Sequence, residues 1–274
     1  MAKSPSSANG APPIPPPGLL STAKQRSAQV DIDIREGRRA FDAEDYTTAV
    51  NHLIRAVQID PRSDVAYYWL GRSYLAAQIG QTAIVQFNTA LAINPRNEFY
   101  YFARAKAEVT MGLYPAALVD FQKTQELHKG ALDALFHTGR GDAYFYNGQS
   151  DLARQDYDQA LTLDKTVASA YLHRAVIRAR LGDHPSAMAD FDAALQAVSK
   201  TSHLNFDIHY FRGLAEQLHG DRTAALADYE ATRAFDDARQ KEAQCLAARL
   251  GGQGPASGSC RGVDPKKELQ KPPA

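Results

Sequence analysis

Arginine and aspartate recur together in this chain at a fixed spacing, and these pairs are its clearest candidates for polar chemistry. At four places in the chain, an arginine is followed by an aspartate sixteen residues later. The pairs are Arg104 with Asp120, Arg140 with Asp156, Arg174 with Asp190, and Arg212 with Asp228. A guanidinium group can bind a carboxylate through two hydrogen bonds, or it can bind phosphate. Because each of these four arginines has an aspartate at the same spacing, we predict ion pairs inside the protein rather than a phosphate or nucleic-acid site.

No other residues show a pattern typical of catalysis. The eight histidines do not fall into metal-ligand spacings, and the chain has no HExxH, no phosphate-binding glycine loop and no paired-cysteine motif. Cys245 lies in an apolar helical pattern and is predicted to be a small packed residue rather than a nucleophile. We therefore predict that the protein is not an enzyme, with no catalytic residues, no metal and no cofactor.

The elements that would bring arginine and aspartate together repeat along the chain. Six alanines anchor the repeats, at separations of 34, 34, 36, 34 and 38 residues: Ala49, Ala83, Ala117, Ala153, Ala187 and Ala225. A fixed period of this size predicts one supersecondary unit that is copied and stacked. In that register the arginine lies on a first helix and the aspartate on a second helix of the same repeat.

The second repeat shows the pattern most completely. It reads Tyr67-x2-Leu70-Gly71-x2-Tyr74, then Ala83-x3-Phe87, then Pro95. Residues three or four apart share a helical face, so two helices are predicted, with Gly71 and Ala83 small where the helices approach closely. Gly80 is expected at the turn between them. The pattern resembles the tetratricopeptide repeat, a helix-turn-helix of about 34 residues.

The resemblance implies an all-α fold, a right-handed superhelical solenoid of about six helix-turn-helix repeats with a C-terminal capping helix. We predict a disordered Pro-rich tail over residues 1–26, six repeats over 27–237, a capping helix over 238–250 and a disordered basic tail over 251–274. The Pro-rich tail is either a spacer or a ligand for a proline-binding domain.

The distribution of charge argues against nucleic acid as the partner. The chain has no net charge, but both ends are basic and the repeats are acidic, whereas a nucleic-acid binder usually has a strongly basic folded region. No apolar stretch is long enough for a secretory signal or a membrane span. With only two cysteines, a reducing compartment is favoured, and we predict a cytoplasmic protein.

In tetratricopeptide proteins the first helices line a concave groove, and the resemblance implies the same here. The predicted partner-binding residues lie on the first-helix stripe that would face this groove. They are Arg38, Phe41, Tyr68, Arg72, Leu75, Phe99, Phe102, Lys106, Phe145, Tyr146 and Tyr210. Arg38, Arg72 and Lys106 hold equivalent positions and would form a basic row. The alternatives are that the aromatic residues only pack between adjacent first helices, and that the row only balances nearby acids such as Asp31 and Asp42.

These patterns predict a non-catalytic scaffold or adaptor that binds a peptide segment of a protein partner, one with acidic and apolar residues. The alternative is a structural subunit of a larger assembly or homo-oligomer that uses its outer faces and cap. Repeat domains that clamp the acidic carboxyl-terminal tails of chaperones need several Lys and Asn residues in the groove. The equivalent positions hold Ile34, Arg38, Trp69, Phe99 and Ala103. Only one of these is basic, so a chaperone-tail clamp is not expected.

Overall fold

The computed structural model of the protein describes residues 22–199, 202, 204–235, 239–251 and 263–271. All regular secondary structure in these ranges is helical. The chain divides into two compact units, unit 1 up to Met111 and unit 2 from Gly112 onward. The division falls between the two helices of the third repeat.

Unit 1 contains five helices within residues 22–111. They are α1 (Ala23–Asp42), α2 (Tyr46–Ile59), α3 (Asp64–Ala76), α4 (Gly80–Ile93) and α5 (Glu98–Thr110). Successive helices pack as antiparallel neighbours, and α3 also contacts α1 and α5. The helices α1, α3 and α5 are the first helices of repeats one to three.

Unit 2 contains nine α-helices and one short 3-10 helix, Thr232–Ala234, among its described residues. The α-helices are α6 (Tyr114–Leu127), α7 (Ala134–Tyr146), α8 (Ser150–Leu163), α9 (Ala168–Arg180), α10 (His184–Ala197), α11 (Leu204–His219), α12 (Arg222–Ala231), α13 (Gln240–Leu250) and α14 (Pro265–Gln270). The first helices of repeats four to six are α7, α9 and α11. Helix α13 packs on α12, and α14 packs on α11 and α9.

The predicted close contact between the helices of one repeat is confirmed. A Cβ atom built on Gly71 would lie 2.7 Å from Cε1 of Phe87, so only a hydrogen fits there. Gly141 has the same relation to Tyr157 and Gly213 to Tyr229, each at 2.8 Å. All six anchoring alanines are completely buried. The small residues therefore set the distance between the helices, and the aromatic rings fill the space beside them.

The turn between the helices of a repeat contains one residue in the left-handed region. It lies five residues before each anchoring alanine: Glu44, Gln78, Gly112, Gly148, Gly182 and Gly220. Four of the six are glycines because this conformation costs glycine little. The prediction that Gly80 makes the turn of the second repeat was wrong. Gln78 makes the turn, and Gly80 is the buried first residue of α4, where an added Cβ would meet the Met111 side chain at 2.5 Å.

Two predicted boundaries need correction. Helix α1 begins at Ala23, inside the predicted tail of residues 1–26, because Thr22 and Gln25 form a capping box. Helix α14 lies inside the predicted disordered tail of residues 251–274. Helix α13 lies within the predicted cap of residues 238–250. The rest of the predicted N-terminal tail, residues 1–21, lies outside the described residues.

Two further observations concern the helices and Cys245. No described helix combines the length and apolar character that crossing a membrane requires. Cys245 is buried in α13, as predicted, but it is disulfide-bonded. Because disulfides persist mainly in oxidising compartments, this bond does not favour the reducing compartment expected from the cysteine count. The cytoplasmic location therefore stays a prediction.

Candidate partner-binding surfaces

The recurring arginines and aspartates form buried ion pairs in unit 2, as predicted. Arg140 donates from Nε to Oδ2 and from Nη2 to Oδ1 of Asp156, both at 2.8 Å. The Nδ1 atom of His137 lies 3.0 Å from the same carboxylate. Arg174 with Asp190 and Arg212 with Asp228 repeat the two-bond geometry. These guanidinium groups are committed to the fold, so they are not a phosphate site.

The same arginines also link neighbouring repeats, a contact that their spacing in the sequence did not predict. Arg174 donates to Asp158, and Arg212 donates to Asp192, both at 2.6 Å. In unit 1, Arg104 donates to Asn88, also at 2.6 Å. Each acceptor lies on the second helix of the preceding repeat. The fourth predicted pair, Arg104 with Asp120, has its two residues in different units.

A cluster of stacked aromatic and cationic side chains lies on α1 and α3 in unit 1. This stacked cluster consists of Arg38, Phe41, Tyr68, Trp69 and Arg72. Arg72 lies 4.4 Å from the Trp69 ring centroid and 4.8 Å from that of Phe41, and Arg38 lies 4.7 Å from Trp69. Tyr68 and Phe41 contact Trp69 edge-on, at 5.6 and 5.7 Å. Four of its members were predicted site residues, and the structure brings them together.

Trp69 is the central residue of this cluster and was not among the predicted site residues. It lies one position beyond Tyr68 and therefore outside the helical stripe used for that prediction. It is the single tryptophan of the chain, and tryptophan is the best aromatic partner for a cation. That signal, next to two equivalent arginines, could have identified it.

The two arginines of the cluster are held by aromatic rings rather than by acids. Among the described residues, neither Arg38 nor Arg72 takes part in an ion pair, whereas their neighbours Arg35 and Arg39 both lie near Glu36, at 3.8 and 3.9 Å. Asp31 nevertheless lines the same cleft as Arg38, so the use of the row in recognition stays a prediction. Lys106, the third member of the row, lies 5.9 Å from the Phe102 ring centroid.

The other predicted residues of unit 1 differ in exposure. Phe99 is 57% exposed, while Phe102 and Leu75 are half-buried. Leu75 packs against the core of α4. Tyr68 also contacts the Tyr100 ring at 5.0 Å, so it packs between adjacent first helices as well as joining the cluster.

A surface cleft adjoins the stacked cluster. It has a volume of about 610 Å³ and runs along α1 to the start of α3. Its apolar lining includes Val30, Ile34 and Val65, and Arg35 and Arg38 lie among them. Arg26 and the acidic residues Asp31 and Asp60 also line the cleft, so it offers apolar surface beside charged groups of both signs.

The predicted residues of unit 2 are much less accessible. Phe145 and Tyr210 are 3% and 1% exposed, and Tyr146 is half-buried. Burial raises the pKa of the Tyr146 and Tyr210 hydroxyls above the ordinary value for tyrosine. Arg180 lies 4.9 Å from the Phe145 ring centroid, and Arg239 lies 5.4 Å from that of Tyr210. Burial lowers the pKa of both guanidinium groups.

Part of this burial comes from α14, which lies against the first helices α9 and α11. Arg180 and Arg239 were not among the predicted site residues. Arg180 is the last residue of α9, on the same stripe as the other predicted positions, whereas Arg239 precedes α13. The contacts of Arg180 with residues 269–271, about 90 positions later in the chain, could not be read from its helical stripe. Among the described residues, no group of three His, Cys, Asp or Glu side chains could hold a metal ion.

A sequence profile of the tetratricopeptide repeat matches residues 34–98, 102–164 and 138–202. These matches cover more than half of the chain. The protein belongs to the tetratricopeptide repeat family. Its predicted fold class, an all-α solenoid of helix-turn-helix repeats, is confirmed.

Solved structures of other tetratricopeptide repeat proteins resemble this one in fold. A chain of the APC/C hetero-tetramer Cut9-Hcn1 has a TM-score of 0.68 and 15% identity, with 85% of this chain and 44% of that chain covered. PilW, a type IV pilus biogenesis factor, has a TM-score of 0.66 and 16% identity, with 77% and 96% covered. YrrB, whose structure is described as having an unusual peptide-binding site, has a TM-score of 0.53 and 16% identity, with 73% and 97% covered. No curated protein matches the chain in sequence.

Proposed function

We propose that this tetratricopeptide repeat protein is a non-catalytic adaptor that binds a peptide segment of a partner protein along its first helices. Proteins of this family generally mediate protein–protein interactions. The observation that supports a peptide ligand most directly is the stacked cluster of unit 1. It presents two guanidinium groups without acidic partners beside aromatic rings and an apolar cleft.

The chemistry of the cluster indicates the kind of segment. A guanidinium group that stacks on an aromatic ring is pre-organised, and its N–H groups remain able to bind a carboxylate. The aromatic rings and the cleft suit apolar anchors, which supply most of the affinity at protein interfaces. A segment in which acidic residues alternate with apolar residues satisfies both features, and the positive charge also accelerates encounter.

Reversal of charge in the basic row tests this proposal. The double variant Arg72→Glu with Lys106→Glu is expected to weaken binding by about tenfold or more, since a hydrogen bond to a charged group contributes about 1.5–3 kcal/mol. The probe is a fluorescein-labelled synthetic peptide in which glutamate and leucine alternate, and binding is measured by fluorescence anisotropy at low salt. A second peptide with glutamine in place of glutamate should bind the wild type weakly.

The matched control carries the same change of charge elsewhere in unit 1. Arg62→Glu with Arg96→Glu alters two exposed residues in the loops before α3 and α5, and should bind the peptide nearly as tightly as the wild type. Circular dichroism should show the same helical content in all three proteins. Equal affinity of the Arg72 and Lys106 double variant at low salt, where electrostatic attraction is strongest, would exclude the row as the recognition site.

The structural-subunit alternative makes a different prediction in the same samples. A protein that assembles through its outer faces and cap should form stable oligomers in light scattering, and charge reversal on the first helices should leave those oligomers intact. A monomer that binds the acidic peptide supports the adaptor.

A further inference from the structure

The C-terminal segment, residues 263–271, is docked on the first helices of repeats five and six. Leu269 is 3% exposed and belongs to the apolar core of unit 2. Glu268 is 6% exposed, although it is a charged residue close to the end of the chain. Helix α14 spans only Pro265–Gln270, and isolated helices of this length are not stable in water. The contacts with unit 2 are therefore what hold it in helical form.

Arg180 holds the end of this helix through its backbone. The guanidinium donates from Nε to the carbonyl of Leu269 at 2.9 Å, and from Nη2 to the carbonyls of Gln270 at 3.1 Å and Lys271 at 2.9 Å. The last carbonyls of a helix lack partners within the helix, and the helix dipole favours a cation beside them. The ring of Phe145, 4.9 Å from the Arg180 guanidinium carbon, supports its other side. Arg180 therefore recognises the backbone at the C-terminal end of a helix.

Glu268 and Leu269 give the contact its side-chain specificity. The hydroxyl of Tyr210 donates to Oε2 of Glu268 at 3.2 Å in a buried environment. Leu269, the next residue, packs among the apolar side chains of unit 2. The basic and aromatic groups of unit 1 suit a partner segment in which an acidic residue is followed by an apolar residue. Here it is supplied by the chain itself.

We propose that the surface formed by Phe145 of α7, Arg180 of α9 and Tyr210 of α11 is a recognition site for a partner segment with Glu-Leu in the last turn of a short helix, and that the C-terminal segment is a competitor within the same chain. The inference rests on the proposed peptide-binding function. The segment follows α13 in the same chain, and a covalently linked competitor has an effective concentration on the order of millimolar. A free partner must displace it, so the wild-type protein binds such partners more weakly than its site allows.

Full-length variants and one probe test the proposal. The probe is a fluorescein-labelled peptide with the sequence of residues 263–271, and binding is measured by anisotropy without reductant because Cys245 is disulfide-bonded. An opened variant, Glu268→Lys with Leu269→Asp, should bind the probe at least about tenfold more tightly than the wild type, since occupancy of the site by the segment reduces the competent fraction. Arg180→Ala added to the opened variant should abolish this gain.

The control variant changes the exposed side of the same helix. Lys266→Gln with Lys267→Gln should leave the C-terminal segment docked and probe affinity at the wild-type value. The proposal is overturned if the opened variant binds no more tightly than the wild type, or if Arg180→Ala does not weaken its binding. It is also overturned if the wild type is a dimer in light scattering and the opened variant is a monomer, because the segment would then be exchanged between copies.

Hydrogen exchange on the wild type gives a test that needs no variant. Excess probe, distinguished by the mass of its label, should accelerate exchange at the backbone amides of residues 266–270. Unchanged exchange at a saturating concentration of probe would overturn the proposal. The charge reversal in unit 1 alters neither Arg180 nor Tyr210, so a failure of that experiment and a failure of this one are distinguishable.

Discussion

Replacing Asp156 by alanine is expected to lower the free energy of unfolding by about 3–5 kcal/mol, the cost of removing one partner from a buried ion pair. The side chain of Asp156 is 5% exposed, and it accepts two hydrogen bonds from Arg140 at 2.8 Å. Its hydrogen bonds raise the pKa of the Arg140 guanidinium, which means that they stabilise the charged form. Without the carboxylate, Arg140 and His137 lose their shared partner. Urea unfolding followed by circular dichroism measures the change.

The matched control lies one turn and a half earlier on the same helix. Asp151 also pairs with an arginine, Arg154 at 3.5 Å, but its side chain is 83% exposed. Asp151→Ala should change the free energy of unfolding by less than about 1 kcal/mol, as exposed pairs do. Similar losses for the two variants would mean that burial of the Arg140–Asp156 pair does not determine its contribution.

The repeat architecture could be predicted from the sequence because the 34-residue period follows from packing contacts that are the same in every repeat. Ala83 and Gly71 are small because α3 and α4 approach closely there. Since this contact lies within one repeat, small residues recur at a fixed spacing in the sequence. The predicted turn of the second repeat was wrong because glycine is favoured where a helix ends, and the prediction relied on Gly80 for that reason. The anchoring alanine was the better guide, since the left-handed residue lies five positions before it in every repeat, whether it is Gln78 or Gly112.

The candidate sites were less accessible to prediction because they depend on contacts between elements. Trp69 joins Phe41 and Arg38 only after α1 and α3 are stacked, and no helical stripe on one element contains all three. The C-terminal segment has five charged residues and one proline among its nine residues, and this composition predicts disorder when the segment is considered alone. Its order comes from Arg180, which lies 89 residues before Leu269.

The contact between α3 and α4 provides the second large effect. Gly71→Leu is expected to lower the free energy of unfolding by about 1–3 kcal/mol, the usual cost of overpacking. A side chain at this position raises helix propensity, which is worth up to about 1 kcal/mol over glycine. The steric cost outweighs that gain, because an added Cβ already lies 2.7–3.0 Å from three atoms of the Phe87 ring, and that ring is completely buried.

Ala83→Leu on the facing helix should have a similar effect, because Ala83 is also completely buried. Ala92→Leu is the matched control, since Ala92 lies on the same helix and is exposed, and its stability should stay close to that of the wild type. Each repeat supports its neighbours, so hydrogen exchange should accelerate in α2 and α5 as well as in α3 and α4 when the contact is disrupted. Faster exchange confined to α3 and α4, with normal stability, would show that the small residues are not what sets the distance between these helices.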